Sequence, residues 1–215
     1  MRFNGLVGIL ILTLIFTTTG AVSSPVTQVS DLKTGNLLLI PLNCGLCHLI
    51  EGEERTPYSH AGLVVQSGSK IEILEAWEKV QRVPVDSFLN RMPKGESALV
   101  LSLPIRISTK KLNQLFKKQF ENAPYDSYFL WNNRDPNTGQ EFLYCTEFIY
   151  KILRKFTRNL PQPKPMHYEY KRQEWLRYFY KLNPPTSPPD QLPGLSPGDF
   201  ERFDGFEPIG FLRPN

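Results

Sequence analysis

The spacing of apolar residues changes period several times along this chain, and each change marks an element. Between Asp31 and Leu42 a continuous apolar run, Leu37-Leu38-Leu39-Ile40, predicts a buried strand. Pro57 to Val65 reads as a second strand that turns at Ser67-Gly68-Ser69 and returns as Lys70 to Trp77, a β-hairpin. Val83-Pro84-Val85 leads into a short helix around Asp86 to Arg91, and Ala98 to Pro104 reads as another strand. Ser108 is placed to cap a helix from Lys110 to about Glu121, with Leu112, Leu115, Phe116 and Phe120 as its core stripe. A strand-like run, Phe142-Leu143-Tyr144, then gives way at Cys145 to an amphipathic helix. Phe148, Ile149, Ile152, Leu153 and Phe156 of that helix share one face at a spacing of about 3.6 residues.

After Leu160 the texture changes. Eleven of the 19 prolines lie between Pro161 and Pro214, interrupted only by an aromatic, charged stretch from Tyr168 to Leu182 that reads as helical. Trp175, Phe179 and the final Phe residues are apolar anchors, so residues 161–215 are expected to wrap the same domain rather than build a second one. No internal repeat is present. The pattern is α+β, with an antiparallel sheet packed on helices in residues 24–160. A chain of 215 residues suits one domain with a core large enough to need no disulfides.

The first 23 residues read as a signal peptide: Arg2 as the positive end, an apolar run from Leu6 to Phe16, then small residues through Gly20, Ala21 and Ser23. The run is too short to span a bilayer, and export to a periplasm or beyond is expected. The net charge of +4 is mild and scattered. Lys110, Lys111, Lys117 and Lys118 fall on the polar side of one helix, a solvated face with at most peripheral attraction to acidic membranes or cell-wall polymers. Nothing argues for a nucleic-acid partner, and a monomer is expected.

Candidate chemistry centres on Cys145. A thiol in the first turn of a helix feels the positive end of the macrodipole and backbone N–H groups without helical partners, and both favour the thiolate. The candidate base is His60, at the start of the hairpin. With a two-residue loop at Ser67-Gly68, His60 pairs across from Glu75; with the loop at Gly68-Ser69, His60 faces Trp77 and Glu75 faces Gly62. In both registers Glu75 shares the face of His60, and Glu72 points the other way. A carboxylate beside a histidine holds one tautomer and stabilises the imidazolium. Tyr125 and Tyr144 are candidates for contact with substrate or an oxyanion. Glu147 should be turned roughly 200° from the thiol on the helix, away from the chemistry.

Cys44-Gly45-Leu46-Cys47-His48 is a rival site. In an exported protein C-x-x-C-H is the attachment signature of c-type haem, and with a fourth ligand such as Glu51 or His167 the same residues suit zinc. A Cys44–Cys47 disulfide in an oxidising compartment and a plain structural loop are the other readings, the loop being favoured. The expected absence of cofactors goes with that choice. Asp135-x-Asn137-x-Gly139 with Glu141 lacks the full calcium-loop pattern and reads as a polar turn.

The order His first, Cys later, with Ser59-His60-Ala61-Gly62-Leu63-Val64-Val65, Glu75-Ala76-Trp77 and Tyr144-Cys145-Thr146-Glu147-Phe148-Ile149-Tyr150-Lys151, resembles the circularly permuted papain-like cysteine hydrolases of the YiiX/YaeF type. These are relatives of the NlpC-type cell-wall peptidases and of the lecithin–retinol acyltransferase group. Gly35 to Ile40, Asn43 to Glu51 and Pro124-Tyr125-Asp126 match in order, so the resemblance covers about residues 32–200; Asn36 departs from an acidic residue common in the family. It implies a papain-like fold with Cys145 as nucleophile, His60 as base and Glu75 as the polar third residue. It also implies a hydrolase, amidase or peptidase, on cell-wall peptide, other amide or lipid-linked substrates, acyl transfer included. The competing classes are the haem or metal protein using Cys44, Cys47 and His48, and a catalytically silent binding domain on the same fold.

Overall fold

A computed structural model describes residues 26–214; the expected signal peptide, residues 1–23, lies outside them. One antiparallel sheet organises the chain. Its strands are β1 (Leu37–Ile40), β2 (His60–Ser67), β3 (Lys70–Trp77), β4 (Lys79–Pro84), β5 (Ala98–Ser102) and β8 (Glu207–Leu212), in the order β4-β3-β2-β1-β5-β8. The helices are α1 (Cys47–Glu54), α2 (Val85–Leu89), α3 (Thr109–Gln119), α4 (Cys145–Leu153), α5 (Arg172–Tyr180) and α6 (Pro197–Glu201). Two-residue strands β6 (Lys164–Pro165) and β7 (Pro193–Gly194) pair with each other.

The central strands β1 and β2 are buried on both faces, which is why they read as continuous apolar runs. On one face Leu37, Leu39, Ala61, Leu63 and Leu74 pack against Leu112 and Phe116 of α3 and Phe148, Ile149 and Ile152 of α4. On the other, Leu38, Ile40, Val64 and Ile73 meet Phe88 and Leu89 of α2. A third cluster, Leu49 with Tyr168, Trp175 and Phe179, holds α5 against α1.

The hairpin closes at Gly68-Ser69, since Ser67 pairs with Lys70 and Leu63 with Leu74. Extending this register sets Gly62 opposite Glu75 and His60 opposite Trp77, the second of the two arrangements considered. Ser108 caps α3 as expected, accepting from the Lys111 N–H at 3.4 Å.

Three features depart from the pattern reading. Strand β4 was not foreseen, because the turn before it contains no glycine; Glu78 itself adopts the left-handed conformation, with φ 58°. The run before Cys145 forms no strand and makes only an isolated bridge, Tyr125 to Leu143. The C-terminal segment does more than wrap: β8 completes the edge of the sheet along β5. Gly210, at φ 151°, lets Val26 cross β8, where any Cβ would strike the Val26 backbone.

Candidate active site

The His60 ring is fixed from both sides. Ser59, just before it, donates its hydroxyl to Glu51 at 2.8 Å and accepts the Leu42 N–H at 3.0 Å, so the start of β2 cannot slide. His60 Nε2 lies 2.7 Å from Glu75 Oε2, and both side chains are buried. The same Glu75 oxygen is 2.6 Å from Arg91 Nη2, while Gln81 Nε2 donates to Oε1 at 3.2 Å. Arg91 in turn lies over the rings of Trp77 and Phe88, at 5.4 and 5.1 Å from their centroids. Neither Arg91 nor Gln81 was singled out from the sequence. Gln81 depends on the unforeseen β4, where it pairs with Glu75.

With Nε2 engaged by Glu75, the other ring nitrogen is left for Cys145, which is close enough to raise the His60 pKa. Burial alone would lower the His60 pKa. Hydrogen bonds to Cys145 and Glu75, with their negative charges, outweigh it and push the value up to about 9. Burial likewise raises Glu75, but the His60 hydrogen bond and the His60 and Arg91 charges hold it below the usual glutamate value. At neutral pH the histidine is therefore an imidazolium between a carboxylate and a sulfur.

A chain of backbone contacts delivers Cys145 to this point. Segment 122–125 runs along β4, with Val80 N–H donating to Ala123 O at 2.7 Å and Tyr125 N–H to Glu78 O at 3.3 Å. Leu143 N–H then donates to Pro124 O, and Asp126 N–H to Leu143 O. Cys145 follows as the first residue of α4, so its N–H is one of the donors the helix cannot satisfy internally. The Asp126 carboxylate accepts the Tyr128 and Leu130 N–H groups and the Asn133 amide, shaping the loop beyond Tyr125.

Tyr125 and Tyr144 both line a narrow, mainly apolar cleft beside Cys145. Burial, then the charge of Cys145, pushes the Tyr125 phenol well above its ordinary value, so it stays a neutral donor. The Tyr144 hydroxyl accepts the Leu195 N–H at 3.2 Å, and the Thr146 hydroxyl donates to Leu195 O at 2.6 Å. The residues either side of Cys145 thus clasp the C-terminal segment, and the far wall of the cleft is Met166, Tyr168, Trp175 and Leu195. Glu147 faces away from the thiol, toward the Asn132 N–H at 2.7 Å and Lys151 Nζ at 2.6 Å.

Cys44 and Cys47 are joined in a disulfide, which leaves Cys145 as the free thiol among the described residues. His48 pairs with Glu174 at 2.8 Å, and His167 meets Gln191. No group of three or more His, Cys, Asp or Glu side chains among the described residues is placed to hold a metal ion. The residues present do not fit haem attachment or zinc at this motif. The Asp135 carboxylate caps its own turn, accepting the Asn137 and Thr138 N–H groups at 2.8 Å.

Comparison with known proteins bears on the fold and the family. The chain matches the solved structure of metalloprotein YiiX from Escherichia coli with a TM-score of 0.69 and 20% identity, over 85% of this chain and 98% of that one. At that identity the likeness establishes the fold. No curated protein matches the chain. Residues 31–185 match the family model of the permuted papain-like amidase enzymes, YaeF/YiiX, a span that includes His60, Glu75 and Cys145. The chain belongs to that family of permuted papain-like amidases.

Proposed function

We propose that this protein is an exported cysteine hydrolase that cleaves an amide through a thioacyl intermediate on Cys145. The observation that carries the reading is the His60 ring, held on Nε2 by a buried carboxylate and within reach of a thiol at a helix start. His60 already holds the proton that Cys145 gives up, as an imidazolium, and the thiolate attacks the substrate carbonyl, the carbonyl electron pair moving to oxygen as the C–S bond forms. The Cys145 N–H and the neutral Tyr125 phenol suit the oxyanion. His60 then returns the proton to the leaving nitrogen as the C–N bond breaks. Water, deprotonated by His60, attacks the thioester and releases the acid and the thiol. The same steps accept an ester, and an acceptor other than water would make the reaction an acyl transfer.

Export is supported by the apolar N-terminal run and by the Cys44–Cys47 disulfide, a bond favoured in oxidising compartments. The apolar cleft suits an aliphatic or aromatic group next to the scissile bond, as in cell-wall peptides or lipid-linked amides.

The test is the rate of Cys145 alkylation by iodoacetamide across pH, with Cys145→Ala and His60→Ala as controls. The reading expects fast alkylation well below the pH at which a denatured thiol reacts, abolished by the first substitution and slowed by the second. A thiol that titrates like the denatured chain and ignores loss of His60 would sink it. Fragments released from peptidoglycan and from lipid amides then identify the substrate class.

A further inference from the structure

Two cations meet on one buried carboxylate oxygen. His60 Nε2 lies 2.7 Å and Arg91 Nη2 2.6 Å from Glu75 Oε2, and the Glu75 side chain is wholly buried. Glu75 is the only acid that forms a salt bridge with Arg91 among the described residues, and the guanidinium is fixed over the Trp77 and Phe88 rings. Arg91 reaches the carboxylate with a single nitrogen, since Gln81 takes Oε1 and Arg91 Nε is buried without a partner among the described residues. An arginine that only braces a carboxylate commonly forks onto both oxygens; this one shares the oxygen that holds the histidine.

The charge around His60 changes through the reaction. Facing the His60–Glu75 pair are Cys145 on α4, Arg91 after α2, the Gln81 amide on β4, and the Trp77 and Phe88 rings. Of these only Cys145 and Arg91 carry charge, and Tyr125, which feels the Cys145 charge, stays neutral. In the resting protein the thiolate and Glu75 balance the imidazolium and the guanidinium. Acylation turns the thiolate into a thioester and removes one negative charge. The carboxylate is then left with two cations in a buried site, and the imidazolium is the one able to shed its proton. Without Arg91 the acyl-enzyme would keep a balanced imidazolium–carboxylate pair, which binds its proton tightly. Water attack needs the neutral ring: His60 takes a proton from water as the water oxygen bonds to the acyl carbon, and the C–S electron pair returns to sulfur.

We infer that Arg91 is a positioning residue for the second half of the reaction: acting through Glu75, its charge drives the proton off His60 once Cys145 carries the acyl group, so that His60 can activate water. The inference rests on the hydrolase reading above and adds to it a division of labour. The thiolate keeps His60 protonated for acylation, and Arg91 releases it for deacylation.

The test is the pH dependence of p-nitrophenyl acetate hydrolysis by the full chain. Nitrophenol appears in a burst as Cys145 is acetylated, then in a slower turnover set by deacylation. Arg91→Gln keeps a donor beside Glu75 without the charge. Its burst should stay within about threefold of wild type, while turnover at pH 6 falls roughly ten- to hundredfold and acetylated protein accumulates by mass spectrometry. Its acid limb of turnover should move up by about one to two pH units, so that activity recovers toward alkaline pH. Arg91→Lys, which keeps the charge, should hold the limb within about half a unit of wild type. Burst and turnover lost together, an unmoved limb in Arg91→Gln, or the same upward shift in Arg91→Lys overturns the role of Arg91 and leaves the wild-type burst and its dependence on His60 intact. A wild-type protein that is never acetylated on Cys145 is a different result: it overturns the hydrolase reading, and this inference with it.

Discussion

His60 Nε2 and Glu75 Oε2 meet at 2.7 Å although the ladder sets their residues on a diagonal, with Gly62 rather than His60 opposite the glutamate. The position without a side chain makes this possible. A Cβ at residue 62 would overlap Ile73 and the Phe88 ring, and Phe88 is one of the two rings packed on His60, at 5.6 Å. Gly62→Ala should therefore cost about 1–3 kcal/mol of stability and displace the His60 ring. Chemical denaturation and the pH profile of Cys145 alkylation check the two effects.

Glu75→Gln removes one of the two partners, with Cys145, that keep His60 protonated, and leaves Arg91 facing an amide. Hydrolysis should fall by about 10²- to 10⁴-fold, as for a triad whose orienting carboxylate is neutralised. Alkylation of Cys145 at neutral pH should slow by on the order of tenfold, since a less basic His60 stabilises the thiolate less. Steady-state kinetics on a peptide amide and timed alkylation measure both; an unchanged alkylation rate would remove Glu75 from the site.

The raised His60 value makes stability pH-dependent with a definite sign. His60 is pushed from 6.5 to about 9, so the folded protein holds its proton more tightly than the unfolded chain. The stabilisation is fully present below about 6.5 and is lost as pH rises toward 9. Denaturant melts of the wild type and of His60→Gln across pH 6 to 9.5 should converge at the alkaline end. Parallel curves would mean that His60 is not held as an imidazolium.

Glu147 shares that sign for a different reason, because burial favours its neutral form. Burial raises its pKa to about 7 against the opposing Lys151 hydrogen bond and charge, and among the described residues Oε2 has no partner. Between pH 4.5 and 7 the folded state binds the extra proton, so this group's contribution falls as pH rises. Relative to wild type, Glu147→Gln should gain on the order of 1–3 kcal/mol between pH 5 and pH 8. Melts at the two pH values read the difference directly.

Thr146 ties the nucleophile helix to the cleft wall through Leu195 O, in a buried hydrogen bond of 2.6 Å. Thr146→Val keeps the shape but orphans that carbonyl, and should cost about 1–3 kcal/mol. Because the wall segment is loosened while Cys145 and His60 stay in place, KM should rise more than kcat falls. Kinetics that show only a kcat loss would place Thr146 in the chemistry instead.

Local pattern made much of this protein legible. Strand β2 and helix α4 announce themselves by period, because burial on both faces or on one stripe must appear as apolar spacing. Alternation put Glu75 on the face of His60 whichever hairpin register held, since side chains of a strand alternate regardless of the loop. The thiol at a helix start was equally readable, as was the change of texture after Leu160. None of that required knowing what packs on what.

Other features depend on contacts between segments far apart in the chain, and no local period encodes them. The choice of the Gly68-Ser69 loop was open to the sequence and was decided by the whole sheet, whose interior admits one register. Strand β4 was hidden because its turn uses a glutamate at positive φ, a conformation that residues other than glycine adopt uncommonly. Arg91 and Gln81 reached Glu75 only through α2 and β4. The clasp of Tyr144 and Thr146 on Leu195 spans about fifty residues and turns a proline-rich tail into a wall of the site. The sequence by itself determined the reacting groups and their local directions, because those follow from backbone periodicity. Tertiary structure decided what orients them and what a substrate must touch, because burial and long-range hydrogen bonds are set only once the sheet is assembled.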